Sequence, residues 1–188
     1  MKRRDILKQS ALFAGAALSA GTIASIVSGC KTDAAIDDIT QAALSSDHLT
    51  LIGEIAERII PKTNTPGAKD AKVDEFINRA VTNNFTRDEA TRFKDGLTVF
   101  NTLANDKFSM NFVSLSDEEK DQILTDVVAD HKSKDSAEPH IWPAIKGLVI
   151  TGYFTSEIAA KETLKYDPIP GEWVGCIDYE DVGGLWAI

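Results

Sequence analysis

Residues 49–61 read LTLIGEIAERIIP, and their apolar side chains repeat with the period of an α-helix. Six residues form the apolar stripe: Leu51, Ile52, Ile55, Ala56, Ile59 and Ile60. Because residues three or four apart lie on one face of a helix, this stretch predicts an amphipathic helix that packs against a core. Ser46 or Asp47 is expected to cap its start, and Pro61 is expected to end it.

The same spacing predicts four further helices outward from this one. They are expected at residues 73–85, after the capping-box pairs Thr86–Glu89 and Ser116–Glu119, and from Pro139 toward Tyr153. Strand signals are nearly absent, because no two alternating runs flank a short glycine turn. We therefore predict an all-α fold, a single-domain helical bundle of about five helices with an irregular C-terminal extension.

The first 29 residues have the layout of a bacterial export signal. Basic residues precede an uncharged stretch that ends in small residues before Cys30. The pair Arg3 and Arg4 resembles a twin-arginine signal, which exports proteins already folded. Residues 27–30, VSGC, resemble a lipobox, in which the Cys30 sulfur is acylated. An uncleaved membrane anchor is the alternative, but small residues predominate in the stretch.

Three segments are therefore expected. Residues 1–29 form the signal, residues 30–44 a lipidated tether, and residues 45–188 a helical domain on the periplasmic side of a bacterial membrane. The chain holds 20 Lys and Arg against 29 Asp and Glu, a formal net charge of -9. This charge excludes nucleic acid as a partner and disfavours electrostatic adhesion to anionic lipid. Membrane attachment is expected through acylated Cys30.

Residues for catalysis are hard to find. None of His48, His131 and His140 follows an acidic residue by three, as a di-iron bundle requires. Two cysteines, one of them in the lipobox, cannot make a zinc site, and no nucleotide-binding or nucleophile motif is present. Acidic runs leave a carboxylate pair for hydrolysis as a minor alternative. We expect no catalytic residue, no metal site and no cofactor bound by this chain.

The segment from Gly152 to Trp173 combines aromatic residues with proline and glycine, which hold large apolar faces in place at little entropic cost. We predict that it binds a partner, together with residues that follow it. The predicted partner-binding residues are Tyr153, Phe154, Thr155, Tyr166, Pro168, Pro170, Gly171, Trp173, Cys176 and Trp186. Two alternatives are a C-terminal wrap that only covers the bundle, and an aromatic sugar pocket in an independent binding lipoprotein. Cys176 is either a buried thiol or a bridge to another chain.

Two blocks of sequence resemble the gluconate 2-dehydrogenase subunit 3 family. The first comprises AERIIPKTNTPGA at residues 56–68 and VDEFI at residues 73–77. The second comprises GYFTSE at residues 152–157 and YDPIPGEWVGC at residues 166–176. Between them, residues 83–139 resemble the family only in helical character.

This resemblance implies a non-catalytic partner of an FAD-dependent sugar or alcohol dehydrogenase of the glucose-methanol-choline (GMC) type, often with a c-type cytochrome as electron acceptor. In such complexes the flavoprotein subunit performs the oxidation, and the small subunit aids its export and stability. Some relatives join the two subunits by a disulfide, for which Cys176 would be the candidate here. Relatives serve dehydrogenases for different sugars, so the family name implies no substrate.

Overall fold

The computed structural model describes residues 43–133, 140–169, 171 and 175–186. The predictions for Arg3, Arg4, Cys30, Pro170 and Trp173 fall outside these residues. So do the export signal and most of the tether.

The described chain consists of helices and connecting loops. The helices are α1 Ser46–Ile59, α2 Val73–Asn84, α3 Arg87–Phe108, α4 Asp117–Ser133, α5 Ile141–Phe154, α6 Glu157–Glu162 and α7 Tyr179–Val182, with a 3-10 turn at Phe112–Ser114. Within the described ranges there is no β-strand, and one isolated bridge pairs Lys165 with Trp186. The all-α prediction is confirmed: α1 to α5 are the five predicted helices, and α6 and α7 are short additions near the C-terminus.

Side-chain caps fix where the long helices begin. Thr86 and Glu89 form the predicted capping box of α3. Ser116 and Glu119 form that of α4, with the Ser116 N–H 2.8 Å from Glu119 Oε2. The cap of α1 differs from the prediction: Ser45, not Ser46 or Asp47, accepts the His48 N–H at 3.3 Å. His48 Nδ1 returns the interaction by accepting the Ser45 N–H at 3.4 Å, which selects this register.

Helix α5 lies at the centre of the bundle, because it contacts each of α1, α2, α3 and α4. Helix α1 packs against α2, α4 and α5. Large side chains without solvent exposure fill the space between them: Tyr153, Phe100, Phe112, Ile52, Ile55, Ile77, Leu97, Ile123 and Ile145. None of the helices among the described residues has the length and apolarity needed to cross a membrane.

Candidate partner interface

Tyr153, in the last turn of α5, is a core residue. Its side chain is 1% exposed, and its hydroxyl donates to the Pro66 carbonyl oxygen at 2.7 Å. The Thr163 hydroxyl lies 2.8 Å from the Tyr153 oxygen and can donate to it, since the tyrosine hydrogen is already used. The expectation that Tyr153 faces a partner is therefore wrong, because its ring and hydroxyl are both occupied inside the domain.

Neighbouring residues show that the two blocks carrying the family resemblance meet in space. A Cβ atom on Gly152 would lie 2.6 Å from the Phe76 ring, so the second block packs against the first through a position that only glycine fits. The Glu57 carboxylate accepts the N–H groups of Lys62 at 3.0 Å and Lys69 at 2.9 Å, which folds residues 61–72 back onto α1. These motif residues hold the domain together.

Phe154 behaves differently from its neighbour. Its ring is 42% exposed and contacts the ring of the buried residue Tyr153 edge-on, with centroids 5.2 Å apart. Thr155 is exposed, and its hydroxyl donates to the Thr151 carbonyl oxygen at 2.6 Å. Its part in partner binding stays a prediction.

The outer face of α5 extends this exposed surface. Pro143, Gly147, Ile150 and Phe154 are all exposed and lie on one stripe, with spacings of four, three and four residues. A helix that is apolar on every side is normally covered on every side. We name this stripe the α5 face. The sequence analysis did not single it out, although the signal was present: Lys146 is the one charged residue in the 14 residues of α5.

Two clefts run beside α5. One, of about 410 Å³, lies between α3 and α5, with Phe85, Phe93 and Ile141 among its lining residues. The other, of about 430 Å³, lies between α5 and the α1–α4 pair, where Leu124 and Trp142 line it. The α5 face thus forms a ridge with a groove on each side. Helices of a partner can pack against such a surface, because their side-chain ridges fit into grooves.

Residues 164–186, which we name the C-terminal segment, carry most of the remaining exposed apolar surface. Its large apolar side chains in solvent are Tyr166, Ile169, Ile177, Tyr179, Leu185 and Trp186. Ile169 is 82% exposed, and no described residue between 165 and 186 is buried. The described aromatic residues of the segment, Tyr166, Tyr179 and Trp186, are therefore not buried against the bundle, which argues against the alternative of a simple C-terminal wrap.

Hydrogen bonds among the described residues help to shape the C-terminal segment. The Lys165 N–H donates to the Leu185 carbonyl at 2.7 Å and so closes the intervening residues into a loop. Asp167 Oδ1 accepts the Ile169 N–H at 3.0 Å, which places the exposed residue Pro168 in a turn. Gly171 is exposed and has φ +63, a conformation that suits glycine.

Cys176 is an exposed free cysteine in this segment. Its exposure excludes the alternative of a buried thiol. The bridge to another chain stays a prediction.

Ion pairs join α1 to α4 and to the loop that follows α1. Lys120 is 7% exposed and donates to Glu54 at 2.9 Å, while Lys69 reaches the same carboxylate at 2.7 Å. Partial burial raises the pKa of Glu54, but the hydrogen bonds from Lys69 and Lys120 outweigh it and hold the pKa below its ordinary value. Arg58 pairs with Asp121 and lowers the pKa of that carboxyl.

The histidines and carboxylates show no assembled reactive site in the part of the chain that the structure describes. His140 caps α5: its Nδ1 accepts the Trp142 N–H at 3.1 Å, and its Nε2 lies 3.2 Å from Asp130. No group of three or more His, Cys, Asp or Glu among the described residues has the arrangement of a metal site.

The geometry thus defines an all-α domain with a closed core, an exposed apolar helix face and an exposed aromatic segment. A family model described as gluconate 2-dehydrogenase subunit 3 matches residues 46–171. The chain belongs to this family, whose name associates its members with a gluconate 2-dehydrogenase complex. The matched range runs from α1 into the C-terminal segment, so it includes the α5 face. Comparisons with curated proteins and with solved structures give no match.

Proposed function

We propose that this chain is the accessory, non-catalytic subunit of a membrane-associated, FAD-dependent dehydrogenase of the GMC type. The flavoprotein subunit binds FAD and oxidises a sugar or alcohol, and a c-type cytochrome is a further candidate partner. This chain binds no cofactor of its own. Membership of the family supports the assignment to such a complex.

One observation carries the proposal: the apolar side chains of the C-terminal segment lie in solvent. Fully burying one large apolar side chain contributes about 1.5–3 kcal/mol, and aromatic residues dominate the binding energy of many interfaces. Tyr166, Ile169 and Trp186 are the proposed anchors, with Phe154 and Ile150 of the α5 face as further contacts. Several large apolar side chains exposed in one segment are more typical of a binding site than of an ordinary surface.

Export and anchoring complete the proposed role. A signal containing Arg3 and Arg4 would allow a folded, FAD-loaded partner to be exported together with this chain, because such signals carry folded cargo. An acylated Cys30 would then hold the complex on the periplasmic side of the membrane. The partner would gain stability by burying apolar surface of its own.

Cys176 is the candidate for a disulfide between the two subunits. Its thiol is exposed within the proposed anchor segment, and structural disulfides form in oxidising export compartments. Oxidation of this thiol with a partner cysteine, by the thiol oxidants of that compartment, would join the two chains covalently.

Purification of the full chain from its native membrane tests the proposal. The chain is tagged through a long C-terminal linker, and absorption spectra and subunit masses are recorded with and without reductant. We expect a co-purifying GMC-type flavoprotein with oxidised flavin bands, and a joint band that reductant or Cys176→Ser removes. A colourless, solitary chain that binds a sugar in calorimetry would overturn the proposal in favour of an independent binding lipoprotein. The two clefts described beside α5 do not include Tyr166 or Trp186, two of the aromatic residues that such a pocket would use.

A further inference from the structure

The C-terminal segment is acidic as well as apolar. From residue 164 to the C-terminus the sequence contains one basic residue, Lys165, against five acidic ones. Four of these acidic residues are described, and all four are exposed: Asp167, Asp178, Glu180 and Asp181. Most of the exposed charge of the segment is therefore negative, and it lies close in sequence to the side chains that are proposed to enter the partner.

Among the described contacts, only Asp167 uses its carboxylate to shape the segment, in the turn at Pro168. Asp167 accepts one backbone N–H, from Ile169, and Asp178 makes no side-chain cap on α7. None of the four forms an ion pair with another residue that the structure describes. Elsewhere, Glu54, Asp121 and Asp126 are paired with Lys or Arg. The acidic groups of the segment thus remain available to a partner.

We infer that the partner face that receives the C-terminal segment is basic. It presents apolar pockets for Ile169, Tyr179 and Trp186, and Lys or Arg residues around them pair with Asp178, Glu180 and Asp181. Charges at the rim of an interface mainly steer the encounter, so their chief effect is on the rate of association. This inference rests on the proposed function and adds the chemistry of the partner's docking face.

The charge of the segment also favours one of three candidate partners: an anionic membrane, a second copy of the chain and a protein with a basic face. An anionic membrane surface repels a segment with this balance of charge. A second copy of the chain would bring the same acidic rim against itself, which costs free energy at low salt. A protein with a basic face is the occupant that the charges favour.

Association kinetics between the full chain and the flavoprotein subunit separated from the purified complex test this inference. The variant D178N/E180Q/D181N removes three negative charges with little change in shape. The control D47N/D106N/E118Q also removes three negative charges, but from exposed positions on α1, α3 and α4. Rates are measured at ionic strengths of about 0.01 M and about 1 M, where the screening length is about 30 Å and about 3 Å.

At the lower ionic strength we expect the first variant to associate about tenfold more slowly than the wild type, while the control loses much less. At the higher ionic strength this difference should disappear. Equal rates for the two variants, with binding still lost in I169S/W186S, would overturn the basic face and leave the accessory-subunit proposal standing. The basic partner face would also be overturned if a second copy of the chain occupied the segment. That result would be a dimer that W186S abolishes and that high salt strengthens. If the wild-type chain binds no flavoprotein, the proposed function fails, and this inference fails with it.

Discussion

Tyr153 and Phe154 are adjacent aromatic residues with opposite environments, since the first is 1% and the second 42% exposed. Successive residues on a helix point about 100° apart, so a single residue pair can divide between core and solvent. The stripe Ile145, Val149 and Tyr153, with spacings of four, already indicated which ring faces the core. The sequence analysis instead grouped both rings by their chemistry, and that grouping was wrong for Tyr153.

Tyr153→Phe is expected to destabilise the domain without disturbing its fold. The change leaves the Pro66 carbonyl oxygen without its donor and deprives Thr163 of its acceptor, at a cost of about 1–3 kcal/mol in the free energy of unfolding. Thermal unfolding followed by circular dichroism should show a lower midpoint. Tyr179→Phe is the matched control, because that side chain is 67% exposed, and it should leave the midpoint unchanged. Equal midpoints for the two variants would contradict the buried hydrogen bonds.

Two glycines of α5 should respond in opposite directions to the same substitution. Gly152→Ala places a methyl group 2.6 Å from the Phe76 ring and should cost about 1–3 kcal/mol through overpacking. A Cβ atom on Gly147 would have no packing neighbour within 4 Å, so Gly147→Ala should stabilise the helix by about 0.5–1 kcal/mol. Urea unfolding of both variants measures the difference. A stabilised Gly152→Ala variant would show that α2 and α5 are not packed this closely.

At the scale of helices, capping and periodicity were sufficient to predict α1 to α5. The pairs Thr86–Glu89 and Ser116–Glu119 fixed two helix starts, because a reciprocal cap has a clear local signature. Ser45 was missed because its partner is His48 rather than Glu or Gln. Local patterns predict helix boundaries. Which of several neighbouring residues caps the helix depends on which one has a side chain three residues later that accepts its backbone N–H.

The candidate interface was predicted less completely, for a physical reason. Aromatic residues with Pro and Gly indicate a shaped apolar segment, but the sequence does not say whether the bundle covers it. Tyr166, Ile169 and Trp186 are exposed because no helix of the described bundle lies over them. The α5 face was missed because its apolar residues could equally have belonged to the core.

The link between α1 and α4 makes stability depend on pH. The pKa of Glu54 lies below its ordinary value of 4.5, because lysine hydrogen bonds outweigh its partial burial, and Arg58 lowers that of Asp121 below 3.8. A carboxyl with a lowered folded pKa contributes stability that is complete above the unfolded pKa and is lost as pH falls through the folded pKa.

We therefore expect the contribution of these two carboxyls to the free energy of unfolding to be complete above about pH 5 and to fall steadily below about 4.5. Chemical unfolding across this range measures it. Glu54→Gln should flatten part of the acid-dependent loss, while Glu75→Gln, at an exposed surface pair, should change it little. An acid response that is the same in both variants would contradict the role given to the Glu54 pairs.

In the whole molecule, the residues that stabilise the domain differ from the residues that are proposed to bind a partner. Tyr153 and Gly152 join the two family blocks inside the domain, while Ile150, Phe154 and the described apolar side chains of the C-terminal segment remain in solvent. Membership of the subunit 3 family is consistent with this division, because a subunit of a larger complex needs both a stable core and an exposed surface for its partner. We propose that this uncovered surface holds a flavoprotein.

The amount of flavin recovered per mole of tagged chain, measured by absorbance after purification from the native membrane, tests that claim most directly. The wild type and the control D47N/D106N/E118Q should recover flavin in a fixed ratio to the chain. I169S/W186S should lose most of it, with an unchanged unfolding midpoint, because both side chains are exposed in the free domain. Full flavin recovery by I169S/W186S, or no flavin with the wild type, would contradict the account.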